Sequence, residues 1–108
     1  MDLSGWTFNQ VWSALQARIR PPQKVRNWTA LNDYLGDMMT VVAVHSGSIE
    51  VDAPGAKSIQ VVRKQDFEAV FNIWEGYKSN EIQRQELTPL TRFSKYVISI
   101  LHWLESES

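Results

Sequence analysis

A chain of 108 residues with 44% hydrophobic and 21% charged side chains is sized for one domain around one core, and is too apolar for intrinsic disorder. It has no cysteine, which excludes a disulfide framework, a Cys-ligated zinc site and a thiol nucleophile. The formal charge of −1 is unevenly spread: Arg18, Arg20, Lys24 and Arg26 form a basic run, whereas Trp28 to Ala56 holds Asp33, Asp37, Glu50 and Asp52 with no Lys or Arg.

Thr7-Phe8-Asn9-Gln10 has the form of a capping box, in which a hydroxyl and a side-chain amide satisfy each other's backbone N–H groups. Phe8, Val11, Trp12, Leu15 and Ile19 follow at helical spacing, and Pro21-Pro22 ends this first helix because proline donates no backbone hydrogen bond. Residues 23–35 fit either a short helix capped by Asn27 or an extended edge segment, with extended structure favoured. Met38 to Val44 is rich in Val and Thr and reads as a strand. Ser46-Gly47-Ser48 is a turn, Ile49 to Asp52 a half-buried strand, Ala53-Pro54-Gly55-Ala56 a second turn, and Ser58 to Val62 a further strand.

From Gln65 to Lys78 the pattern becomes helical, with Phe67, Val70, Phe71, Trp74 and Tyr77 on one face. A last helix is expected from Thr88-Pro89, with Thr as N-cap and Pro at the first helical position. Its apolar stripe runs through Leu90, Phe93, Tyr96, Val97, Ile100, Leu101 and Leu104. The expected fold is therefore α+β, as one domain over residues 1–108. It comprises an N-terminal helix, a small antiparallel meander of three to four strands, and two C-terminal amphipathic helices packed on it.

Candidate chemistry is sparse. His45 closes a predicted strand near Glu50 and Asp52, and a His–carboxylate pair is suited to proton transfer, but no nucleophile or second metal ligand accompanies it. Glu50 and Asp52 alternate on one strand face, and a solvated face explains them as well as a cation site. His102 falls off the apolar stripe of the last helix, in an exposed or interface position. Neither catalytic residue, metal nor cofactor is expected. Arg18, Arg20, Lys24 and Arg26 form one candidate anion- or nucleic-acid-binding set, and Arg84, Arg92 and Lys95, around the start of the last helix, form a second.

The five tryptophans exceed what a small core obviously needs. Trp28, Tyr34 and Trp103 fall outside a clear core stripe and are the candidates for a partner-binding surface. The expected function is a non-enzymatic binding module acting through that surface, as a homodimer or on another protein. Nucleic-acid binding and a small-ligand or enzymatic pocket near His45 are the alternatives. The first residues lack the basic and apolar regions of a signal peptide, and no segment is apolar over a bilayer's thickness, so a cytoplasmic protein without membrane contact is expected.

The aromatic spacing from Asp66-Phe67-Glu68 through Trp74-Glu75-Gly76-Tyr77-Lys78 to Thr91-Arg92-Phe93-Ser94-Lys95-Tyr96-Val97-Ile98-Ser99-Ile100-Leu101 resembles small uncharacterised proteins of bacterial mobile elements, including integron gene cassettes. The resemblance covers about the last 45 residues. It implies a bacterial accessory role and carries no functional residue.

Overall fold

The structure, a computed structural model, describes residues 1–107. It is a two-layer α+β fold: a four-stranded antiparallel sheet, covered on one face by helices. Helix α1 (Phe8–Arg18) begins at the expected capping box. The Gln10 amide donates to Thr7 Oγ1 at 3.2 Å and the Thr7 amide to Gln10 Oε1 at 2.9 Å. Strands β1 (Gln23–Thr29), β2 (Asp33–Val44), β3 (Ser48–Asp52) and β4 (Gln60–Arg63) follow as a meander in the order β1-β2-β3-β4. The ambiguous segment is thus extended, as favoured, and the strand expected from Met38 begins earlier, at Asp33.

Strand β2 is long because it bends. Its pairing with β1 jumps from Arg26–Met38 to Trp28–Tyr34, leaving Leu35, Gly36 and Asp37 opposite Asn27 alone. Gly36 takes φ +95° there, a conformation costly for any residue with a Cβ. A second irregularity leaves Val42 without a counterpart on β3. The inward side chains Val25, Met39, Val41, Ile49, Val51 and Val62 are fully buried against the helices.

The helix expected over 65–78 is two helices, α2 (Lys64–Phe71) and α3 (Trp74–Lys78). The Ile73 amide bonds to the Val70 carbonyl, three residues back, and this tight turn redirects the chain. Phe67 and Phe71 then meet Trp12 and Phe8 of α1, while Trp74 and Tyr77 turn towards Trp28 of β1. A single 3-10 turn, Arg84–Glu86, leads towards α4 (Ser94–Ser106).

Helix α4 starts five residues later than Thr88-Pro89 suggests. The Leu90 and Thr91 amides both bond to the Leu87 carbonyl, closing a turn around Pro89, and the Thr91 hydroxyl accepts from the Phe93 amide at 3.0 Å. Leu90, placed on the core stripe by periodicity, is consequently exposed. Helix α4 lies against β1 and α2, and buries Val97, Ile98, Ile100, Leu101, Trp103 and Leu104. Burial on more than one side makes it the centre of the core.

Candidate functional site

The helices occupy one face of the sheet, and no described element covers the other. The pairing fixes what that outer face presents. Arg26 stands beside Met38; Lys24, Thr40 and Asp52 form the next row; Ala43, Glu50 and Val61 the next; Ser48 and Arg63 the last. Across the strands the chemistry changes stepwise. Strand β1 presents Lys24 and Arg26, β2 the uncharged Met38, Thr40, Val42 and Ala43, and β3 Glu50 and Asp52. Met38 is 48% exposed and Val61 45%, and Val42 is exposed between them.

Few of these charges are neutralised locally. Lys24 Nζ donates across the face to Thr40 Oγ1 at 3.0 Å. The Arg26 guanidinium lies 3.6 Å from the centroid of the Tyr34 ring. Among the described residues, Lys24, Arg26 and Asp52 make no ion pair. Glu50 pairs with His45 Nε2. The expectation that Glu50 and Asp52 share a strand face holds, and the face is this outer one.

The aromatic candidates are placed differently from expectation. Trp28 and Trp103 are buried, which corrects their position outside the core. Trp103 is covered because α4 is packed on several sides, so one stripe does not describe its buried surface. Trp28 is covered because α3 and α4 close over the end of β1. Its ring stacks on His102 at 3.9 Å between centroids with planes 2° apart, and its Nε1 donates to Asp33 Oδ1 at 3.0 Å. Tyr34, half-buried, has its hydroxyl 3.1 Å from His102 Nε2. Trp28 and Tyr34 thus meet through His102, which sequence reasoning left outside the group. Burial disfavours the charged imidazole and lowers the His102 pKa.

The first basic set divides. Arg18 and Arg20 belong to the helical layer, where the Arg20 guanidinium bonds to the Ala17 carbonyl, whereas Lys24 and Arg26 belong to the outer sheet face. In the second set Arg92 sits 4.7 Å from the Phe93 ring centroid and Lys95 Nζ lies 3.9 Å from Asp37 Oδ2. Asp37 accepts from Asn27 Nδ2 at 2.8 Å, which holds its carboxyl below the ordinary value. Arg84 lines a small pocket of about 100 Å³ with Thr29, Tyr77 and Ile82.

A wide-mouthed depression of about 500 Å³ does lie beside His45, between the end of α1 and β2, lined also by Gln16, Ile19, Arg20 and Pro21. Its polar groups are turned onto one another: the Gln16 side chain donates to the His45 carbonyl, and Arg20 to Ala17. They do not converge on a common point, as a catalytic centre requires.

Neither family models, curated proteins nor solved structures yield a match to this chain. No described helix is long and apolar enough to cross a membrane.

One further polar cluster went unseen in the sequence. Glu105 of α4, its side chain 10% exposed, accepts from Trp74 Nε1, the Leu3 amide and Lys78 Nζ, each at 2.9 Å. Asp2 and Glu75 also approach Lys78. Burial opposes the Lys78 charge, but its hydrogen bonds to Glu105 and Glu75 outweigh that and raise its pKa. The ammonium already supplies the positive charge these carboxylates need, so the group is a structural clasp. No local pattern marks it, because its members lie up to 103 positions apart.

Proposed function

We propose that the protein is a non-enzymatic protein-binding module whose working surface is the outer face of the sheet. The observation that carries this is the composition of β2. Met38-Met39-Thr40-Val41-Val42-Ala43-Val44 is a nearly continuous apolar run, the pattern of a strand covered on both faces, whereas a strand with one solvated face alternates. Among the described residues only the face of Met39 and Val41 is covered. A contiguous apolar stripe bordered by charges is the surface expected of a docking site. The module would act as a cytoplasmic bacterial accessory protein, in keeping with its resemblance to integron-cassette proteins.

The test is site-specific photocrosslinking, with a photoreactive residue at Met38 on the outer face and, separately, at Glu68 on the helical layer. A discrete adduct from Met38, absent from Glu68 and lost when Val42→Asp is added, supports the proposal. No adduct from Met38 refutes it.

A further inference from the structure

The outer face is complementary to itself. Strands β1 and β3 flank β2 on either side, one basic and one acidic, and β2 carries the apolar stripe between them. A two-fold axis running along β2, midway between two facing sheets, turns β2 onto β2 and lays the β1 of each copy over the β3 of the other. Such an axis preserves position along the strands. Lys24 and Asp52 already share one row through Thr40, so each Lys24 comes opposite Asp52 of the second copy, twice in the dimer. Arg26, one row along, flanks the same contact. Sheets packed face to face keep their strands within about 30° of alignment at a separation of about 10 Å, which a lysine and an aspartate span together.

Resting on the outer face as the binding surface, we propose that its occupant is a second copy of this chain, in an isologous sheet-on-sheet dimer that pairs Lys24 with Asp52 across the interface. Two features favour a second copy over an unrelated partner. The charges on β1 and β3 are opposite in sign, equal in number and, among the described residues, lack ion-pair partners except at Glu50. A surface built for a strongly acidic or basic partner would carry one sign. In addition, the apolar stripe lies on the strand that the axis follows, where a two-fold operation sets each residue against its own kind. With three strands in the overlap the interface is small, so dimerisation is expected in the micromolar range.

The experiment is sedimentation equilibrium on the purified full chain, on Lys24→Asp, on Asp52→Lys, and on an equimolar mixture of those two variants. All substituted positions are exposed, and thermal melts confirm that the variants fold. The wild type is expected to dimerise. Each variant alone sets like charges against each other twice and should dimerise at least about tenfold more weakly. The mixture should recover the dimer, because each heterodimer contact again joins Lys to Asp. A wild type that stays monomeric to millimolar concentration, or variants that dimerise as well as wild type, or a mixture no stronger than its components, overturns the inference. The crosslinking experiment separates the two levels. A Met38 adduct at twice the 12.5 kDa chain mass agrees with the dimer, whereas an adduct of other mass retains the binding face and removes the second copy as its occupant.

Discussion

Replacing Glu105 by Gln tests the clasp that ties the N-terminus, α3 and α4 together. The carboxylate receives three N–H donors, Trp74 Nε1 on one oxygen and the Leu3 amide and Lys78 Nζ on the other. Glutamine has the same shape but one acceptor oxygen. Its best orientation keeps Leu3 and Lys78 and turns the NH2 group towards the Trp74 N–H, leaving a buried donor facing a donor. That costs about 1–3 kcal/mol, and the Leu3 bond falls from charge-assisted to neutral strength, a loss of roughly 1 kcal/mol, while Lys78, still a charged donor, loses its ion pair with residue 105. The Lys78 part is discounted, because Lys78 is a quarter exposed and keeps Glu75 at 3.0 Å. The expected total is about 2–4 kcal/mol, or a fall in Tm of roughly 10–15 °C for a domain of this size. Urea unfolding followed by tryptophan fluorescence measures it directly. Glu75→Gln, which touches only the partly exposed Lys78, is the control and should cost no more than about 0.5 kcal/mol. A Glu105→Gln loss that small would refute the reasoning, since it would mean that the Trp74 N–H finds another acceptor or water.

Two more predictions concern the end of β1. Ser99, buried in α4, accepts from the Trp28 amide at 3.0 Å, and its hydroxyl also lies 3.4 Å from Asn27 Oδ1 and the Trp28 carbonyl. Ser99→Ala leaves a buried amide unpaired and should cost about 1–3 kcal/mol in a denaturant titration; an unchanged midpoint would show that the strand end does not depend on α4. His102 has a folded-state pKa below its ordinary value of 6.5, so the unfolded chain binds the proton more readily. Its contribution is present above pH 6.5 and is lost as pH falls through that value towards the lowered one. Stability should therefore decline as pH falls below 6.5, and His102→Gln should flatten that slope; an unaltered slope would assign it elsewhere.

Local sequence determined the elements wherever one short-range pattern governs them. The Thr7–Gln10 capping box, the Pro21-Pro22 stop, the turns around Gly47 and Pro54-Gly55, and the strand character of residues 38–62 all depend on neighbours within a few positions. The tertiary structure decided whatever depends on what packs over an element. Periodicity describes one buried stripe, so it placed Trp103 outside the core, although α4 is enclosed by both β1 and α2. It also carried the last helix back to Leu90, where Pro89 and the Thr91 hydroxyl instead close a turn. Trp28 looked like a surface ring until α3 turned at Ile73 and α4 brought His102 onto its face. The apolar run of β2 was visible from the outset, but only the register separates Met38 and Val42 from Met39 and Val41, and sets Lys24 in line with Asp52. A strand alternates its side chains between two faces, and which of them lies open is settled by where the helices go.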